Sequence, residues 1–150
     1  MSQAMLELLD ETHRCPSISL LRKALTRYIK ALGIKQTITI IICDDATIHQ
    51  RNLEHRGEDY ATDVLSYPMV EPSDQDMPLV SHLGDIFISL DTAQKQAKDD
   101  VLSELLTLAA HGITHLRGYD HPTEEMWTIF HEAQNQALEC LQNLKKSWVP

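Results

Sequence analysis

The chain has 150 residues, 43% hydrophobic and 23% charged, which describes one folded globular domain, 1–150, and leaves no apolar run near the roughly 18 residues of a membrane span. The net charge of −9 speaks mildly against a nucleic-acid partner. Cys15, Cys43 and Cys140 are far apart without a C-x-x-C pair, and the acidic start lacks a signal-peptide pattern, so the expectation is a cytoplasmic protein with neither a disulfide framework nor a thiolate zinc site.

Residues 3–10 fit a strand or a helix and are read as a strand. Residues 17–32 carry Leu20, Leu21, Ala24, Leu25, Tyr28, Ile29 and Leu32 at helical spacing, with Ser17 or Ser19 as the cap and Gly33 as the stop. Arg22, Lys23, Arg27 and Lys30 fall mainly on the other face. From Thr12 to Ile40 there are six basic residues and no acid, leaving −15 for the rest of a chain whose total is −9. Such a stripe either meets phosphates or is the solvated side of an amphipathic helix.

Thr37 to Cys43 is β-branched almost throughout and reads as a buried strand. Asp44 or Asp45 caps a helix running to about His55, with Gly57 beyond its end. Thr62 to Pro68 reads as a short strand, and Val70 to Ser81, with two prolines and scattered acids, as a surface loop. Leu83 to Leu90 is another strand, in which Gly84 marks a close backbone approach. Asp91 caps a helix to about Lys98, Val101 to Arg117 is a long apolar helix, and Thr123 caps a last helix to about Lys145 with Glu124 and Glu125 at its positive end. This order predicts an α/β or α+β sandwich.

The segment His111-Gly-Ile-Thr-His115-Leu-Arg-Gly-Tyr-Asp-His121 sets three histidines four and then six residues apart. Residues four apart share a helix face, so His111 and His115 stand side by side as ligands of one ion must. Gly118 can end the helix in the left-handed conformation and return the chain so that His121 reaches the same point. Three nitrogens with one position left open are the donor set of catalytic rather than structural zinc. The spacing equals that of the long metzincin protease motif, but the general-base glutamate of that motif is replaced by Gly112.

This motif resembles the signature of the YbeY family of bacterial endoribonucleases, which are ribosomal RNA maturation factors. Leu53-x-x-Arg56-Gly-x-Asp59-x-x-Thr62-Asp63-Val-Leu-Ser66-Tyr-Pro68 is similar to the family's arginine-containing segment, with Tyr67 where phenylalanine is usual, and Leu83-Gly84-Asp85-Ile86 to its second short motif. The resemblance implies an α+β fold with a small mixed, mostly parallel four-stranded sheet, about five helices and a zincin-like metal site. It also implies a zinc-dependent, single-strand-specific endoribonuclease that trims the 3′ end of small-subunit rRNA and acts in late ribosome quality control. Its partners would be single-stranded RNA and the ribosome or ribosomal proteins.

On that reading one Zn²⁺ sits on His111, His115 and His121, and Arg56, which matches the family's functional arginine, grips phosphate oxygens. His111 and Arg56 are the expected catalytic residues, and Arg22, Lys23, Arg27 and Lys30 the expected RNA contacts. Asp63 and Asp85 are expected either to orient metal-bound imidazoles or to be ordinary strand-end aspartates, and Asp120 to do the first or cap a turn before His121. His13, His49, His55, His82 and His131 are expected in ordinary surface or core roles, and Met126 in helix packing rather than beneath the metal. The lack of aromatic clusters in the sequence argues against base stacking as the source of sequence specificity, and the resemblance implies docking on the ribosome instead. A metallopeptidase and a non-enzymatic, zinc-stabilised ribosome-associated module are the alternatives.

Overall fold

The structure, a computed structural model, describes residues 6–69, 82–121 and 123–146. In chain order the elements are β1 (Leu6–Asp10), α1 (Ile18–Ala31), β2 (Thr37–Cys43), α2 (Asp45–Arg56), β3 (Val64–Pro68), β4 (His82–Ser89), α3 (Leu90–Gln96), α4 (Val101–Leu116) and α5 (Glu124–Lys146). The strands form one sheet in the order β1-β2-β4-β3, with β1, β2 and β4 parallel and β3 antiparallel to β4. This is the α+β arrangement expected, a mixed and mostly parallel sheet with five helices among the described residues.

Strand β2 is apolar on both sides because both faces of the sheet are covered. Ile38, Ile40 and Ile42 join Ile86 and Ile88 of β4 under α1, α4 and α5, while Ile41, Cys43, Leu65 and Phe87 meet Ile48 of α2 on the opposite face. The first cluster is the larger and holds Leu105, Leu106, Ala109, Ala110 and Ile113 of α4, all fully buried. Helix α4 thus lies flat on the sheet with one face left for the cleft beside β3.

Two glycines set the height of α4 above the sheet. A β-carbon on Gly84 of β4 would fall 2.6 Å from Leu116 Cδ2 and 2.5 Å from the Tyr67 carbonyl oxygen, and one on Gly112 of α4 would fall 2.8 Å from Ile86 Cγ2. Each element therefore offers a glycine to the other's large side chain, and the helix sits closer than side chains at both positions would allow.

Several element ends depart in detail from expectation, though Ser17 is one of the two residues expected to cap α1. The cap of α1 is Ser17, but in the left-handed region (φ 53°) with no side-chain bond; its carbonyl instead accepts from Leu20 and Leu21 N–H. Helix α3 starts at Leu90 with Ser89, not Asp91, as its cap, because the Ser89 hydroxyl accepts from Thr92 N–H and Asp91 is drawn away to accept from Asp45 N–H (2.9 Å) and Arg14 (3.1 Å). It ends at Gln96 because Ala97 turns extended. Asp44, by contrast, caps α2 as one of the two candidates, accepting from Thr47 N–H at 2.8 Å. The loop expected over 70–81 lies outside the described residues.

Candidate metal centre

Helix α4 delivers His111 and His115 one turn apart, and the chain reverses just past it. Gly118 takes φ +96°, its N–H bonds to the His115 carbonyl (2.9 Å), and Tyr119 N–H bonds to the Thr114 carbonyl (3.3 Å). The reversal aims the Tyr119 carbonyl back at the helix, where it stands 3.1 Å from His115 Nδ1. A carbonyl only accepts, so Nδ1 carries the proton and Nε2 keeps its lone pair for a ligand. Asp120 then accepts from His121 N–H at 2.8 Å and steadies the last step of the return.

The three imidazoles offer ligand nitrogens all within 4.8 Å of one another. His111 Nε2 and His115 Nε2 are 3.2 Å apart. Two nitrogens bound at tetrahedral angles to one zinc ion, each about 2.05 Å from it, stand about 3.3 Å apart, so this spacing fits. Burial pushes His111 down to about 4, with His115 and His121 beside it adding to the effect. Burial, then His121, lowers His115 in the same direction. Both rings therefore stay neutral at physiological pH, the form that ligates a metal.

The floor beneath the histidines is aromatic. Phe130 of α5, fully buried, lies 4.8 Å from the ring centres of His111 and His115 and 5.1 Å from that of His121. Trp127 stacks nearly parallel on His121, at 4.1 Å and 19°. Aromatic composition is low, yet folding gathers these rings around one point. The histidine motif carries no sign of them, since they arrive from the next helix. Met126, on the same helix, is half-buried, and the ring of Phe130 is what underlies the site.

A cleft of about 560 Å³ opens over the histidines, bounded on its other side by His55 and Arg56 of α2 and by residues of β3. Gly57, at φ +72°, ends α2 with its N–H on the Leu53 carbonyl (3.0 Å), and this stop leaves Arg56 in the last turn at the cleft's edge. Arg56 is half-exposed, its nearest carboxylate partner being Glu58 at 3.9 Å, a distance that leaves its guanidinium donors largely uncommitted. Ser66 of β3 donates to the Gly112 carbonyl at 3.3 Å and ties the strand to the histidine helix.

The remaining expected site residues divide. Asp63 and Asp120 line the cleft with the histidines and Arg56. Asp85 does not; its carboxylate accepts from His82 Nε2 at 2.8 Å, so its partner is a neighbour on β4 rather than a metal-site imidazole. The orienting acceptor for His115 is the Tyr119 carbonyl. Arg22, Lys23, Arg27 and Lys30 are exposed on α1 and line no part of the cleft, and Arg22 donates to the Leu8 carbonyl at 3.2 Å. His55, expected in an ordinary role, is instead a wall of the cleft. Its place beside Arg56 in the chain was the available signal.

Gly112 shows why a protease-type base has no place here. The residue after His111 faces Ile86 in the sheet, so a side chain at this position would drive into the core.

A small mixed sheet, a helix bearing an i, i+4 histidine pair and a third histidine returned by a glycine turn define an α+β protein with a zincin-like metal site. Residues 10–142 match the family model described as Endoribonuclease YbeY. The chain belongs to the YbeY endoribonuclease family. It is 47% identical over 115 residues to Endoribonuclease YbeY of Deinococcus radiodurans, covering 67% of this chain and 73% of that one. It is 46% identical over 122 residues to Endoribonuclease YbeY of Thermus thermophilus, covering 79% and 86%. A solution structure of a Thermotoga maritima protein superposes with a TM-score of 0.62 at 25% identity, over 95% of this chain and 93% of that one. Among the described residues no helix is long and apolar enough to cross a membrane.

Proposed function

We propose that the protein is a zinc-dependent endoribonuclease that cuts single-stranded RNA at the cleft between Arg56 and the three histidines. The observation that carries this reading is the convergence of three imidazoles and a largely uncommitted guanidinium on one cleft. His111, His115 and His121 would hold the ion. Such an ion, when bound, supplies Lewis acidity, making water a better nucleophile at neutral pH and polarising a phosphoryl oxygen.

The chain's own residues do the rest. Arg56 donates to the phosphate oxygens and offsets the negative charge that builds as the phosphodiester is attacked. The Tyr119 carbonyl keeps His115 in the ligating tautomer, and Phe130 closes the underside of the site against water. Asp63 and Asp120 line the cleft, and on this reading they are the carboxylates that would move a proton. The family to which the chain belongs supports a role on ribosomal RNA, in 3′-end maturation of the small-subunit rRNA and late ribosome quality control in the cytoplasm, with the ribosome or its proteins as partner.

The test combines metal analysis with cleavage of labelled single-stranded RNA and of denatured casein by wild type, His115→Ala, Arg56→Glu and chelator-treated protein. Wild type should hold one zinc per chain and cut RNA only. His115→Ala should lose both metal and cleavage, and Arg56→Glu should keep the metal and lose most cleavage. Intact RNA beside cut casein, or full RNA cleavage by Arg56→Glu, overturns the assignment.

A further inference from the structure

Beside the cleft lies a second, smaller cavity of about 140 Å³, bounded by Arg51, Glu54, His55 and Tyr67. His55 lines both cavities and is the wall between them. Arg51 and His55 are four residues apart on α2 and share a face of that helix. The His55 ring packs against Tyr67 at 4.3 Å, Tyr67 meets Phe87 edge-on at 5.6 Å, and the Arg51 guanidinium stands 4.1 Å above the Phe87 ring. The cavity thus has aromatic walls, one fixed cation and one carboxylate.

That combination selects among ligands. A phosphate would be drawn to Arg51 but repelled by Glu54, and a cation the reverse. A neutral heterocycle with acceptors on one edge and donors on another satisfies both groups at once. Unpaired RNA bases are such heterocycles, and proteins hold them against aromatic rings while hydrogen-bonding their edges. Guanine answers this pair best: O6 and N7 accept from an arginine, and its ring N–H and amino group donate to a carboxylate. Glu54 already accepts from Gln50 at 3.0 Å, which leaves most of its acceptor capacity open.

We propose that this cavity is a nucleobase subsite that takes the base, preferentially guanine, of a nucleotide flanking the phosphodiester held at Arg56 and the histidines. The proposal rests on the RNA-cleaving reading of that cleft. It routes the strand along α2 and the β3 edge and not along α1, whose basic residues line neither cavity.

Its test uses metal-loaded protein and oligonucleotides of uniform sequence carrying one guanine at successive positions, as cleavable RNA and as non-cleavable 2′-O-methyl strands. Wild type should cut at a fixed offset from the guanine and bind the guanine-bearing strands more tightly. Arg51→Ala and Glu54→Gln should each erase that preference, a change of about 5- to 150-fold for one well-made base contact, with metal content unchanged and the circular dichroism spectrum that of wild type. Cleavage without a positional guanine preference, or a preference that survives both substitutions, overturns the subsite while leaving the nuclease standing. Guanine-dependent binding that both substitutions abolish, in a protein that cuts no RNA, sustains the subsite and sinks the nuclease. Absence of both guanine-dependent binding and cleavage sinks both.

Discussion

Replacing Gly112 by alanine tests how the histidine helix is seated. On an open helix the exchange would stabilise by about 1 kcal/mol, because glycine loses more backbone freedom. Here the new methyl carbon would lie 2.8, 3.0 and 3.2 Å from Cγ2, Cδ1 and Cγ1 of Ile86. Ile86 is fully buried and β-branched, so it cannot swing aside. Overpacking of this kind costs about 1–3 kcal/mol. The net expectation is a loss of about 1 kcal/mol, which for a domain of this size lowers the melting temperature by about 2–4 °C. Ile86→Ala alone opens a cavity and should cost about 2–5 kcal/mol, but it removes all three atoms the methyl would strike. In that background Gly112→Ala should therefore stabilise by about 1 kcal/mol. Thermal and urea unfolding of the four proteins, followed by circular dichroism, measures the reversal of sign. A stabilising Gly112→Ala in the wild-type background, or an equal loss in both, refutes the seating of α4 on Ile86.

Trp127→Ala removes the ring stacked on His121, worth about 0.5–1.5 kcal/mol, and should weaken metal binding roughly 2- to 12-fold in a chelator competition; unchanged affinity would show that the stack does not hold His121. Asp45 accepts from Ser89, from Thr92 (2.6 Å) and from Lys95 (3.3 Å), and Ser89 is fully buried, so Asp45→Ala should cost about 2 kcal/mol in urea unfolding with metal content intact. A loss below about 0.5 kcal/mol would place that network outside the stability of the fold. Protein stripped of metal should lose stability as pH falls from 6.5 towards about 4, since the unfolded chain takes up the His111 proton first; that contribution is fully present above pH 6.5. His111→Gln should flatten the slope, and an unchanged slope would assign it to other groups.

The histidine pair was legible because a helix repeats every 3.6 residues, so two ligands four apart need nothing from the rest of the chain to meet. Gly118 was legible as the reversal for a similar reason, since a left-handed residue three past His115 turns the backbone locally. The alternation of β-branched runs with amphipathic stretches carried the order of elements and the burial of β2. Cap assignment was less secure where two polar residues competed. Asp91 lost the cap of α3 to Ser89 because Arg14, 77 residues away, and Asp45, 46 residues away, claim its carboxylate.

The sequence by itself determined the donor set, the turn that closes it and the α+β order, all of which depend on neighbours within about a dozen residues. Only the tertiary structure decided what faces that donor set. Arg56 and His55 cross to it from α2, Trp127 and Phe130 come up from α5, and Asp85 turns instead to His82. The packing of α4 between Gly84 and Ile86 sets where those groups meet. Local spacing encodes contacts along one element, whereas contacts between elements follow from how side chains of different size interlock across the core.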